Sequence, residues 1–200
     1  MSELKVGVLA LQGGVVEHIY MIREAAKRLG KEVEVVEVRK PEHLNSLRAI
    51  VLPGGESTAM YKLGKRTGLD KRLKEALLEG LPALGTCAGA ALLAREIEDK
   101  QSGKRYEPLL GVADFKVVRN FFGRQRESFE ANLNIKGIGT FRGVFIRAPV
   151  MVPLSPAVEV LGEFKGNAVM VKQGNIIATS FHPELTSDTR IHEMLLSEAS

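Results

Sequence analysis

The stretch "LPALGTCAGAALLA", residues 81–94, decides how the rest of the chain is read. A short apolar run over 81–85 closes on Gly85 and another begins at Ala88. Between them stands Cys87, the only cysteine in 200 residues. Gly85-Thr86-Cys87-Ala88-Gly89 has the G-x-nucleophile-x-G form of a sharp strand-to-helix turn. Its small flanking residues let strand and helix pack closely while the central side chain projects. Such a turn belongs at the carboxyl end of a strand in an open, helix-covered sheet. A cysteine in the first turn of a helix also faces unsatisfied backbone N–H groups and the positive end of the helix dipole, and both favour the thiolate. The commonest fate of a lone cysteine is burial as a small apolar side chain, and the elbow by itself leaves that alternative open.

Upstream the chain alternates. "LKVGVLA" (4–10) is a strand, and Val15, Ile19, Ile22, Ala26 and Leu29 recur at helical spacing before Gly30. "VEVVEV" (33–38) has the two-residue period of a strand, "RAIVLP" (48–53) is a short β-branched run, and "LDKRLKEALLEG" (69–80) is a helix with Gly80 at its end. This order predicts an α/β fold: an open, largely parallel three-layer sheet with helices on both faces. Downstream, strands are expected at 109–118, 142–147, 158–164 and 167–172. The turns "KGN" and "KQGN" make "VEVLGEFKGNAVMVKQGNIIATSF" a run of antiparallel strands added to the sheet in the C-terminal half. A last helix, about 187–198, has Ser187 or Asp188 as its cap. Without repeats, low-complexity segments or a linker, residues 1–200 read as a single domain, a length that buries about 70% of the unfolded surface.

Composition narrows the function. The chain is 44% hydrophobic and 26% charged, with a formal net charge of +4. Its basic residues are interleaved with acidic ones, as in "DKRLKEALLEG", which is the pattern of solvated helices and predicts no nucleic-acid partner. No run approaches the ~18 apolar residues of a membrane span. The N-terminal "MSELKVGVLALQGG" lacks a signal-peptide pattern, so a cytoplasmic protein with no membrane partner is expected. One cysteine and four scattered histidines make neither a disulfide nor a zinc framework, and neither metal nor cofactor is expected.

In doubly wound sheets ligands bind beyond the carboxyl ends of the strands. There the sequence places "LQGG", "PGGES", "GTCAG" and "FHPE". A cysteine nucleophile needs a base, and the base an orienter. His182 and Glu184 supply both if the segment is extended, because positions i and i+2 then share a side and Pro183 biases His182 towards extended geometry. In "LPGGEST" (52–58), backbone N–H groups near Gly55 offer an oxyanion site together with that of Ala88, and Glu56 and Ser57 line the space beside it. No Walker loop or dinucleotide fingerprint occurs. His18, His43 and His192 read as helix or loop surface residues.

Taken together these motifs resemble class I, triad-type glutamine amidotransferases, and more closely the glutaminase subunits of pyridoxal 5′-phosphate synthases. The resemblance rests on "LALQGGVVEH" (9–18), "LPGGEST", "GTCAG", "RNFFGRQRESFE" (119–130) and "FIRAP" (145–149), and it spans nearly the whole chain. It implies Cys87, His182 and Glu184 as the catalytic triad. Gly55, Glu56, Ser57, Arg119, Ile146 and Arg147 would surround L-glutamine, whose carboxylate suits a guanidinium and whose ammonium suits a carboxylate. Gln12 and Gly13 would belong to a loop that responds to the partner, a (β/α)₈-barrel synthase subunit supplied with ammonia. Gly14, Val16 and Ala90-Ala91 depart from the family pattern, the first two in the segment that would meet that partner. The triad motifs alone also fit a glutaminase serving histidine or nucleotide biosynthesis, and the elbow alone a redox or stress protein.

Overall fold

Parallel strands need crossover connections, and the alternation of β-branched runs with amphipathic helices in the first half supplies them. The computed structural model describes residues 3–123 and 127–199. The chain begins β1 (Leu4–Leu9), α1 (Val15–Arg28), β2 (Val33–Val38), β3 (Ala49–Leu52), α2 (Ser57–Thr67), α3 (Leu69–Leu78), β4 (Ala83–Thr86) and α4 (Ala88–Leu93). It continues through β5 (Ala94–Asp99), β6 (Arg105–Tyr106), β7 (Ala113–Arg119), β8 (Ser128–Ile135), β9 (Gly139–Ile146), β10 (Val150–Pro153), β11 (Glu159–Phe164), β12 (Asn167–Gln173), β13 (Ile176–Thr179) and α5 (Arg190–Glu198). An eleven-stranded sheet runs β2-β1-β3-β4-β13-β12-β10-β7-β5-β6, with β11 paired to β12, and β8 and β9 form a separate ribbon.

Strands β2, β1, β3, β4 and β13 are parallel, so their carboxyl ends lie on one side. β12 returns antiparallel to β13, as the turn signals predict. One register matters most. β13 pairs with β4 so that Thr179 stands opposite Thr86, which brings the segment carrying His182 alongside Cys87. Alternation along the central strands divides the core. Ile50 and Leu52 join Met60, Leu69, Leu73 and the α4 alanines on one face. Ala49 and Val51 join Ile22, Leu195 and the phenylalanines of the β8–β9 ribbon on the other. Each fully buried Val, Leu, Ile, Met or Phe among these contributes about 1.5–3 kcal/mol, and each alanine less.

Several boundaries differ from the sequence reading. Helix α2 is not anticipated, because its cap is Glu56, outside the usual Ser, Thr, Asp and Asn set, and only Gly68 in left-handed geometry separates it from α3. The helix beginning at Ala88 lasts six residues and passes directly into β5. The strand expected over 109–118 starts at Ala113, after a turn, and the one expected over 142–147 starts at Gly139. The last helix begins at Arg190 with Thr189 at its N-cap, although Asp188 Oδ1 still accepts from Arg190 N–H. Among the described residues no helix is long and apolar enough to cross a membrane.

Candidate active site

Cys87 sits between β4 and α4 with φ 53° and ψ −106°, a conformation that a non-glycine residue adopts only when its surroundings enforce it. Packing does so. A Cβ on Gly89 would lie 1.9 Å from the Leu52 carbonyl oxygen, and one on Gly85 2.7 Å from that of Gly89. The two glycines thus let β3, β4 and α4 approach until the chain must turn on the cysteine. Its N–H donates to Thr179 O at 2.8 Å, tying the elbow to β13, and its Sγ lies 4.0 Å from Ile146 O. Ala88 is the first residue of α4, so its N–H has no acceptor within the helix.

His182 follows β13 and is anchored by its N–H to Val144 O at 2.8 Å. Its Nδ1 lies 2.9 Å from Glu184 Oε1. Burial of this imidazole works against its charged form. Hydrogen bonds to Cys87 and Glu184, reinforced by their charge, outweigh burial and raise its pKa to about 10. The reason given above for the pairing is corrected by the backbone. Pro183–Leu185 is a short 3₁₀ turn, so Glu184 reaches His182 across a turn and not along an extended strand. Gly54 makes room for the pair: a Cβ there would meet His182 Cε1 at 2.6 Å and Cys87 Cβ at 3.6 Å.

Behind Glu184 lies a second correction. His18 and His192, expected on the surface, are fully buried. His18 Nδ1 is 2.9 Å from His192 Nε2, and His18 Nε2 is 3.3 Å from both Thr86 Oγ1 and Glu184 Oε2. Burial, then His192 and His182, holds His18 well below its ordinary pKa, and burial takes His192 down to about 3. The signal was present: His18 precedes the buried Ile22 and Ala25 by four and seven positions, the spacing of a core stripe. His43 is half-buried on a 3₁₀ turn, its Nδ1 accepting from Lys40 and Arg39 N–H, closer to the loop role expected.

A cavity of about 320 Å³ opens beside Cys87, lined by Gly55, Glu56, Ser57, Ala88, Arg119 and Arg147 among others. Arg119, half-buried, bonds Ser57 Oγ, stands 3.7 Å from Glu56 Oε1 and stacks over Tyr106 at 5.4 Å. Glu56 caps α2 through Thr58 and Ala59 N–H. Burial opposes its charge, but these N–H groups and Arg119 prevail and lower its pKa. Arg147 has φ 45° and an exposed side chain 4.0 Å from Glu127, while Ile146 contributes its carbonyl near the sulfur. Gln12 Oε1 accepts from Glu56 N–H at 2.7 Å, and Gly13 packs so closely on Gly54 that a Cβ would lie 1.6 Å from its carbonyl oxygen. Tyr106, Asp99 and Asn120 also line the wall and were not foreseen: Tyr106 and Asp99 stand in no motif, and Asn120, within the "RNFFGRQRESFE" stretch, was given no role beside Arg119. Residues 124–126 of the "RNFFGRQRESFE" stretch lie outside the described residues.

The arrangement thus presents a sulfur nucleophile, a protonated imidazole, a carboxylate holding that imidazole and a polar cavity with cationic and anionic groups. That set suits acyl transfer from an amide. The chain matches the SNO glutamine amidotransferase family over residues 8–200. It is 52% identical over 198 residues to "Pyridoxal 5′-phosphate synthase subunit PdxT" of Aeropyrum pernix, covering 96% of this chain and 98% of that one. Subunits of the same name from Pyrobaculum aerophilum and Methanosarcina mazei are 46% and 47% identical, with 98% of each chain covered. A crystal structure of a glutamine amidotransferase, 49% identical, superposes with a TM-score of 0.83 over 97% of this chain and 98% of that one. A glutamine amidotransferase from Thermotoga maritima, 14% identical with a TM-score of 0.63 over 96% of this chain and 81% of that one, shares the fold. The chain belongs to the SNO glutamine amidotransferase family.

Proposed function

From that membership we propose that the chain hydrolyses L-glutamine to L-glutamate and ammonia, and that it is the glutaminase subunit of a pyridoxal 5′-phosphate synthase. Cys87 thiolate attacks the side-chain amide carbon. The oxyanion is received by backbone N–H groups at Ala88 and Gly55, donors fixed in place before the charge develops. His182 imidazolium gives its proton to the departing nitrogen, which leaves as ammonia, and a thioester remains. The neutral His182 then takes a proton from water as the water attacks the thioester, releasing glutamate and restoring the thiolate–imidazolium pair. Glu184 holds the imidazole throughout.

In the glutamine site, Arg119 takes the α-carboxylate, with Ser57, Ile146 and the exposed Arg147 at the rim. Glu56, already charged at the start of α2, takes the ammonium. Gln12 and Gly13, lying on the Gly54–Glu56 loop, respond to the partner. That partner is a (β/α)₈-barrel synthase subunit that uses the ammonia, and residues 1–200 act as one glutaminase domain in the cytoplasm. The observation that carries the reading is Cys87 and His182 side by side over Gly54, with Glu184 hydrogen-bonded to His182, beside a charged cavity of amino-acid size. Glutamate release is measured from the purified chain alone and mixed with such a synthase subunit. Release that needs or rises with the partner, and that is lost in Cys87→Ala, is the expected result. Release by the Cys87→Ala variant overturns the mechanism.

A further inference from the structure

Glu184 faces two imidazoles, one on each oxygen: His182 at Oε1 and His18 at Oε2. A carboxylate only accepts, so a bare His18 Nε2 lone pair 3.3 Å from Oε2 is repulsive and a proton there is attractive. His18 is neutral in its buried site and carries one ring proton, so a proton on Nε2 leaves Nδ1 as an acceptor. That acceptor meets His192 Nε2 at 2.9 Å, which must then be the donor. His192 is neutral too, and its Nδ1 is left bare. Among the described residues this atom is one of three buried side-chain atoms without a hydrogen-bond partner, with Ser180 Oγ and Glu184 Oε2 itself, and the donor nearest that carboxylate oxygen is His18 Nε2 at 3.3 Å. The opposite tautomers would bury an orphan N–H at that position, and native structures avoid orphan donors more strictly than spare acceptor lone pairs.

We infer that His18 is a positioning residue for the proposed triad: its Nε2–H holds Glu184 Oε2, shared with Thr86 Oγ1, and His192 fixes that tautomer from behind. The inference rests on the reading of Glu184 as the orienter of His182. Helices α1 and α5, at opposite ends of the chain, are thereby joined to the carboxylate through two side chains, and the contact of His18 with Thr86 ties them to the residue before Cys87. The groups facing His18 are His192, His182 and Glu184, and none of its neighbours makes it a cation.

The test begins with the unaltered protein. Long-range proton–nitrogen correlation of ¹⁵N-histidine-labelled chain reports each ring's tautomer without any activity. His18 and His192 are expected as Nε2–H, and an Nδ1–H tautomer at His18 overturns the inference. His18→Gln and His192→Gln keep a donor where Nε2 stood, whereas His18→Leu and His192→Leu remove it. With the synthase subunit present, the Leu variants are expected to lose about tenfold or more in kcat at little-changed KM, the scale seen for outer partners of metal-bound imidazoles. The His182 titration falls below its wild-type position in the same variants, and the Gln variants regain most of both. Equal loss of thermal stability in Leu and Gln variants, with kcat and the His182 titration unmoved, means a structural role only and overturns it. If the unaltered chain releases no glutamate, the functional reading fails, while the tautomers and the His182 titration still decide the positioning.

Discussion

At Cys87, His182 and Glu184 the proposed chemistry reduces to where one proton rests. Cys87→Ala is expected to cut glutamate release by at least about 10³-fold, measured as turnover in the presence of the synthase subunit. Glu184→Gln removes a charge and an acceptor from His182, so its pKa falls from about 10. Because the folded pKa is raised above the ordinary 6.5, the stabilisation is full below pH 6.5 and is lost as pH rises through about 10. The Tm difference between wild type and Glu184→Gln should therefore be widest in mild acid and narrow across pH 7–10. A gap that widens with pH contradicts the assignment. That these three residues lie together was legible because each belongs to a motif at a strand end. His18 and His192 were misplaced because a histidine within an amphipathic helix looks like a surface residue until the neighbouring stripe is counted.

Helices and turns hold the site by close approach and by capping. Gly89→Ala forces a methyl group into the Leu52 carbonyl, which the β3–β4 pairing cannot move aside. The expected cost is about 1–3 kcal/mol in denaturant unfolding, with lost activity as the elbow opens. Glu56→Ala removes the side-chain cap of α2, worth about 1 kcal/mol, and also raises KM for glutamine if the carboxylate meets the ammonium. A stability loss without a KM change would leave Glu56 as a cap only. Strands and helices with a clear period were read well from sequence. Helix α2, β5 and β8 were missed, and β9 was found only in its second half, because their form is imposed by the core on both sides of the sheet and not by local pattern.

Across the whole molecule, the largely parallel sheet was foreseeable because strand and helix signals alternate, whereas the strand order was not, since long-range pairing leaves no local trace. β13, from the last part of the chain, lies between β4 and β12 and, among the described residues, joins the N-terminal parallel strands to the rest of the path, where β12, β10 and β7 alternate in direction and β5 is again parallel to β7. A chain ending before Ile176 should therefore aggregate or remain unfolded, as circular dichroism and size-exclusion chromatography would show, and a soluble folded product would argue otherwise. The same placement sets an order of events during synthesis. β4 leaves the ribosome, followed by the cysteine, on the order of ten seconds before the histidine and glutamate proposed to activate it. Through that interval the thiol has neither partner beside it, and the β4 edge is an open template for strand addition. Any chaperone that attends this chain has its task defined by that wait: to shield one strand edge until the last strand arrives and switches on the chemistry.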